Sequence, residues 1–295
     1  MKTIADTILY LRTNLNLKQR DFKQISQSTI ANIENQNRIP RVDTFVEIVH
    51  QLETSLNEFM YIQNNYQNPE REQLFKDFRN QKHSIYLEKG KKLIQRLDDY
   101  IHRNPNDALI KNIRTIIEIY EIINASSTYE IESPESLQIY DKIEEYKVWT
   151  FEHIYIMSKI FYIYPEERAL SHIIRIKNEL EKYKDYADVL ETKIAFLLNS
   201  SGYLIEKGYL DQAQSLLLEA YRLSHKSDKL VLASYARYSL AQIYFLKGEN
   251  QRSDELLDKV YNTLTYGNKK RLVDNMKFTW ENFVLRIKEE QVAKI

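Results

Sequence analysis

The 295-residue chain has no cysteine. That excludes a disulfide framework, a thiolate metal site and a cysteine nucleophile, and it fits a reducing cytoplasm. Glycine and proline number five each, well below their usual shares of about 7% and about 5%. So few turn residues argue for helices throughout. No run of 18 apolar residues occurs, so no membrane-spanning segment is expected. Asp6 and Arg12 interrupt the N-terminal apolar positions, unlike a signal peptide. Net charge is also missing, with 42 basic and 42 acidic residues. The apolar share of 43% is enough for a sizeable core, and the length suits one to three domains.

Catalytic motifs are missing as well. Gly90-Lys-Lys92 lacks the preceding Gly and following Ser/Thr of a phosphate loop. The six histidines, at 50, 83, 102, 153, 172 and 225, include no pair at i, i+4 spacing. Glu144-Glu145 and Glu166-Glu167 are adjacent on helices, where side chains diverge, so they do not form an acid–base pair. Lys269-Lys270-Arg271 reads as the solvated start of the last helix. No catalysis, cofactor or metal is therefore expected.

What is present starts with the stretch from Leu17 to Asn35. It reads as two short helices joined by a tight turn. Ser26 is an N-cap whose hydroxyl accepts an otherwise unpaired N–H of the second helix. Ile30 and Ile33, three apart, fall on one face and can be buried. Gln27, Ser28, Thr29 and Asn32 point elsewhere and can offer amides and hydroxyls to base edges in a major groove. An ordinary amphipathic helix with a polar solvent face is the alternative on this stretch alone.

The flanks favour the first reading. Ile4, Ile8, Leu11 and Leu15 give a helix upstream. Downstream, Ile39-Pro40 breaks the chain, and Phe45, Ile48, Val49 and Leu52 give a fourth helix started near Asp43 or Thr44. Ser55-Leu-Asn-Glu58 reads as a capping box opening a fifth helix through Phe59 and Ile62. Between Arg12 and Arg41, six basic residues (Arg12, Lys18, Arg20, Lys23, Arg38, Arg41) face two acidic ones (Asp21, Glu34), a local net of +4. The first 66 residues balance at seven and seven. A neutral head binds DNA weakly as a monomer, because phosphate neutralisation supplies much of the affinity. A dimer is therefore expected.

This five-helix pattern resembles the phage-repressor (XRE-type) helix-turn-helix domain, and Ser26 to Asn35 is similar to its recognition-helix signature. The resemblance implies that Gln19 starts helix two near a phosphate, and that Arg12 and Glu34 form a structural ion pair. Gln19 to Ser26 is shorter than usual in that family, so helix two is expected to be about a turn short.

After Tyr66-Gln-Asn-Pro69 one helix follows another: 70–81, 83–103, 107–124, a loop over 124–132, a helix from Ser133-Pro134, then 148–163, 166–184, 186–207, 209–225, 228–247, 249–264 and 268–291. Two pairs repeat. Gly208 is followed at five and twelve residues by Ala213 and Ala220, and Gly248 by Ser253 and Val260, with Leu204 and Tyr244 four before each Gly. A weaker copy has Tyr164-Pro165 as its turn and Ala169, Ile173 and Ile176 behind it. The spacing resembles a divergent tetratricopeptide (TPR) repeat, longer than the usual 34 residues. Such repeats stack into a solenoid whose inner face binds extended peptides. A helical bundle with coincidental spacing is the alternative.

The expected architecture is all-α: residues 1–66 a five-helix XRE-type head, 67–81 a connector helix, and 82–295 a TPR-like α-solenoid. A repressor-type head joined to divergent repeats resembles the peptide-responsive RRNPP regulators, and among them the Rgg/GadR/MutR family. Leu52 to Tyr66 is similar to how that family closes its head, and Ile143 to Glu152, with Trp149 and Glu152, to its mid-chain segment. The resemblance implies a cytoplasmic homodimeric transcription factor that binds double-stranded DNA and a short signalling peptide, dimerising through its C-terminal helices.

On that reading Gln27 contacts adenine and Asn32 a base or phosphate. Ser28 and Thr29 share the same face. Lys18, Gln19, Arg38 and Arg41 position the head on phosphates. Counted from Gly248, the groove positions fall at Tyr235, Tyr238 and Gln242, with Phe245 deeper. Asn199 is expected as a buried amide that bonds a peptide backbone. For the tyrosines plain packing is the alternative, and for Asn199 a turn-initiating role. Three other readings stay open: a repeat scaffold binding a protein partner with a vestigial head, a repressor that answers no peptide, and an enzyme-like modulator acting through a glutamine.

Overall fold

The computed structural model describes residues 2–80, 87–126, 134–186 and 189–292. Among these residues there are fifteen α-helices, two 3-10 turns and no strand. The chain divides into two compact units, Met1–Ile117 and Glu118–Ile295. None of the described helices is long and apolar enough to cross a membrane.

The first unit opens with α1 (Ile4–Asn14), α2 (Gln27–Glu34), α3 (Val42–Gln51) and α4 (Leu56–Gln63). Ile8, Phe22, Ile30, Ile33, Ile48, Val49, Leu52 and Phe59 form its core, with Phe45 edge-on to Phe59 at 5.1 Å. Each such side chain, fully buried, contributes about 1.5–3 kcal/mol before chain entropy is counted. Thr3 and Asp6 form a reciprocal capping box on α1. At α4 only half of the expected box forms. Ser55 accepts from the Glu58 N–H, while the Glu58 carboxylate takes the Thr54 hydroxyl instead. Helix α3 starts where expected, with Arg41 as its N-cap and Asp43 in its first turn. The Lys2 N–H donates to the Gln63 carbonyl, and the Gln63 amide donates back to Lys2, which ties the first residues to the end of α4.

Helix α5 (Glu70–Asn80) buries Leu74 and Phe78 and packs on α6 (Leu87–Arg103). Arg71 pairs with Asp107, Arg96 with Asp77, and Arg103 with Glu70. Helix α7 (Ala108–Ser126) begins in this unit and runs into the next. Residue 81 of the helix expected over 70–81, residues 83–86 of the one expected over 83–103, residues 127–132 of the expected loop, Ser133, and residues 187–188 of the helix expected over 186–207 lie outside the described residues.

The second unit continues with α8 (Pro134–Glu144), α9 (Phe151–Ile160), α10 (Glu166–Lys182), α11 (Val189–Glu206), α12 (Leu210–Lys226), α13 (Leu230–Leu246), α14 (Asn250–Tyr266) and α15 (Lys270–Val292). The helix expected over 148–163 starts only at Phe151, and its last turn is a 3-10 turn, Phe161–Ile163. Trp149, 1% exposed, lies before it: its indole N–H donates to the Ile143 carbonyl, and the Arg175 guanidinium stacks 4.0 Å from its ring.

The forty-residue register appears in the backbone. Gly208 and Gly248 have φ of +82° and +79°, the left-handed region that favours glycine. The next residue closes each turn by donating back to the carbonyl four before the glycine, Tyr209 to Leu204 and Glu249 to Tyr244, both at 2.8 Å. Ala213, Ala220, Ser253 and Val260 are all fully buried where paired helices approach. The Ser253 hydroxyl donates to the Ala241 carbonyl across that contact. Helices α11 to α14 are thus two stacked antiparallel pairs, the layout of a TPR-like solenoid.

Candidate functional site

Helix α2 turns Ile30 and Ile33 into the core and leaves Gln27, Ser28, Asn32 and Asn35 exposed. The Ser26 hydroxyl accepts from the Thr29 N–H at 3.1 Å and lies 2.9 Å from the Ser28 hydroxyl and 2.8 Å from that of Thr29. Thr29, half-buried, is therefore occupied by the cap, while Gln27 and Asn32 present free-standing amides.

The expected helix two does not form. In its place stand one 3-10 turn, Gln19–Asp21, and a bent segment. The Asp21 carboxylate accepts from the Lys18 N–H at 2.6 Å, Phe22 is anchored in the core, and Gln24 takes a left-handed φ of +62°. The Lys23 N–H and carbonyl are both held by the Gln51 amide, so they have no helical partner.

The expected ion pair is present and bidentate: Arg12 donates to Glu34 at 2.5 and 2.9 Å, and also to the Leu17 carbonyl at 2.7 Å. Its hydrogen bond to Glu34 holds the Arg12 guanidinium above its usual pKa. Gln19, expected near a phosphate, donates its amide to Glu34 at 2.6 Å. That places its side chain in the scaffold, because Glu34 has a further lone pair to satisfy. Arg12, Lys18, Gln19, Arg20 and Gln27 line a shallow open cleft of about 420 Å³.

Lys18, Arg20 and Lys23 are exposed before α2, and Arg38 and Arg41 after it. The Arg38 N–H bonds the Asn32 carbonyl, so the chain folds back over the end of the helix. The helix-turn-helix motif does not single out Arg20 and Lys23, although the local +4 charge contains them.

The expected peptide residues lie on α11 and α13 of the repeat unit. Asn199 is exposed, not buried; the buried polar neighbour is Ser200. On α11 burial follows Ile194, Leu197, Ser201 and Leu204, and Asn199 faces away from that line. Tyr238 is core: its hydroxyl donates to the Met276 carbonyl at 3.2 Å, its ring lies edge-on to Trp280, and burial pushes its phenol pKa up. Tyr235 packs half-buried on the same cluster. Phe245 lies 5.7 Å from Trp280 and 5.9 Å from Phe283. Helix α15 covers that face of α13. Gln242 is half-buried. The forty-residue register pairs Asn199 with Ser239, and Gly202 with Gln242. Gly202 is exposed, with open space where a Cβ would stand, and Ser239 is half-buried. By that register Ser239, not Tyr238, is the position equivalent to Asn199.

Residues 8–59 match the family model described as Helix-turn-helix. The head is a helix-turn-helix domain. Among curated proteins no sequence relative is found. Three solved structures share the fold over nearly the whole chain. A protein of Listeria monocytogenes EGD-e described as a transcriptional regulator is 20% identical, with 97% of this chain and 99% of that one covered and a TM-score of 0.72. PlcR of Bacillus thuringiensis, solved with the peptide PapR7 and DNA, is 14% identical, with 94% and 99% covered and a TM-score of 0.69. The SHP pheromone receptor Rgg2 of Streptococcus dysgalactiae is 15% identical, with 95% and 99% covered and a TM-score of 0.65. From the helix-turn-helix head to α15, the chain shares the fold of these three proteins.

Proposed function

We propose that the protein is a homodimeric, cytoplasmic DNA-binding transcription regulator whose repeat unit answers a short peptide. The observation that carries the DNA reading is the exposed polar stripe of α2, with cations on the segments before and after it and the bidentate Arg12–Glu34 pair beneath. Gln27, Ser28 and Asn32 face base edges, and Lys18, Arg20, Lys23, Arg38 and Arg41 face phosphates. Residues 1–66 are the DNA-binding part, 67–81 the connector and 82–295 the peptide-binding and dimerising part. Two neighbours of the same fold support the peptide reading, one named as a pheromone receptor and one solved with a peptide and DNA. Asn199, exposed, and Ser239 and Gln242, half-buried, offer polar groups to a peptide backbone. Phe278, Leu285 and Val292, exposed at seven-residue spacing on α15, support a second copy as partner.

The test is binding of the purified protein to DNA upstream of its own gene and its neighbours across a salt series. Specific binding that falls steeply with salt is expected, with log K falling by about 0.9 per phosphate neutralised for each decade of salt. A folded protein with no sequence preference at any salt would overturn the reading and favour a protein-binding scaffold.

A further inference from the structure

The stripe that α2 turns to solvent consists of Gln27, Ser28, Ala31, Asn32 and Asn35, spaced so that all five share one face. Four are exposed, and Ala31 stands half-buried among them. At 1.5 Å per residue the stripe is about 12 Å long. Against 3.4 Å per base pair that covers about three to four pairs.

None of the five is charged. The cations lie on the flanking segments, Lys18, Arg20 and Lys23 before the helix and Arg38 and Arg41 after it. The separation has a chemical consequence. In the major groove guanine shows two acceptors, N7 and O6, which call for two donors from one side chain, as in arginine or lysine. Adenine shows an acceptor and a donor, N7 and the N6 amino group. A carboxamide matches that edge with its own NH₂ and carbonyl. The methyl of an alanine fits the C5 methyl of thymine. The hydroxyls discriminate less, because serine and threonine pair with either kind of edge, and the Ser28 and Thr29 oxygens both lie within 3 Å of Ser26 Oγ in the cap.

We propose that the head reads each operator half-site through A·T pairs. Gln27 and Asn32 each engage an adenine edge, Ala31 meets a thymine methyl, and Asn35 extends the reading by one turn. Guanine is not read at the centre of the half-site. The inference rests on the DNA-binding reading above and specifies the class of sequence bound.

The experiment selects the full-length protein on a pool of random duplexes at fixed salt. An enriched motif with A·T pairs at the centre of each half-site is expected. A motif centred on recurrent G·C pairs would overturn this inference and leave DNA binding standing. Retention without any motif would overturn both. On the selected duplex, one contacted A·T pair is then replaced in two ways. Diaminopurine·T keeps the major-groove edge of A·T, and affinity is expected to hold. G·C changes that edge, and affinity is expected to fall about tenfold. Equal losses from both replacements would place the reading in the minor groove and overturn the proposal. Asn32→Ala should abolish the G·C penalty at one position, whereas Lys18→Ala should weaken binding to every duplex alike.

Discussion

The Gln51 amide holds Lys23 by both ends of its peptide unit: its oxygen accepts the Lys23 N–H at 2.7 Å, and its nitrogen donates to the Lys23 carbonyl at 3.0 Å. The Gln51 amide also donates to Glu47 at 2.7 Å. One side chain of α3 thus substitutes for a missing helix two, by fixing the segment that leads into the recognition helix. Replacing Gln51 with Ala should cost about 1 kcal/mol, since both Lys23 groups are near water and can be rehydrated. The loss of DNA affinity should exceed what that small destabilisation explains, because α2 loses its entry angle. Urea unfolding alongside DNA titration measures both. Unchanged affinity would mean that the segment holds its shape without Gln51.

The Arg12–Glu34 pair makes a sharper claim. Their side chains are 12% and 4% exposed, so removing one leaves the other buried and unpaired. Glu34→Ala should cost about 3–5 kcal/mol and also release Gln19. Replacing both with apolar residues of similar size, Arg12→Met with Glu34→Leu, should recover most of that loss. A double variant no more stable than Glu34→Ala would show that the pair is a net source of stability.

The features legible in the sequence share a local cause. The Ser26 cap with Ile30 and Ile33, and the glycine period with its small residues, are determined by neighbours a few positions away. The absence of helix two is not legible in this way, because it depends on Gln51, 28 residues downstream of Lys23. The core position of Tyr238 is hidden for the same reason: nothing near it announces that Met276, 38 residues on, accepts its hydroxyl proton. Asn199 differs from its expected burial by phase alone, since its neighbours in Ile194 to Leu198 are apolar and only the helix period decides which of them faces inward.

Gly208 and Gly248 should respond alike. An added Cβ meets nothing within 4 Å at either position, so the cost of alanine is conformational, about 1–2 kcal/mol for a left-handed residue. Asparagine, which tolerates that region, should cost less. Thermal melts of the four single variants would show it. Equal effects of Ala and Asn would mean that φ is not the constraint.

Acid should destabilise the repeat unit. Burial pulls the His172 pKa below its ordinary 6.5, with Glu144 opposing and Arg168 and Arg175 adding to the shift. His153 is lowered in the same way by burial, and its Nδ1 must stay unprotonated to accept the Thr150 N–H. The unfolded chain takes up these protons at higher pH than the folded one. Stability is therefore full above 6.5 and is lost as pH falls through the lowered folded values. Urea midpoints from about pH 8 to about pH 5 should drop on the acid side, and His172→Phe should flatten part of that limb. An identical acid limb in the variant would assign the loss to other groups.

Phe278, Leu285 and Val292 are 63%, 57% and 73% exposed, while Val273, Met276 and Phe283 of the same helix are buried. Three large apolar side chains seven residues apart form a line along α15 that its own unit leaves uncovered. With a second copy as the partner, Leu285→Asp should convert a dimer to a monomer in sedimentation at micromolar protein, with the thermal melt of the repeat unit little changed. The DNA consequence separates this from a local defect. Each head brings its own phosphate contacts, so a monomer should bind with about half the salt slope of the dimer. It should also lose the preference for paired half-sites one helical turn apart. A variant with unchanged mass and salt slope would place the dimer contact elsewhere, or leave the protein a monomer whose two half-sites fill independently.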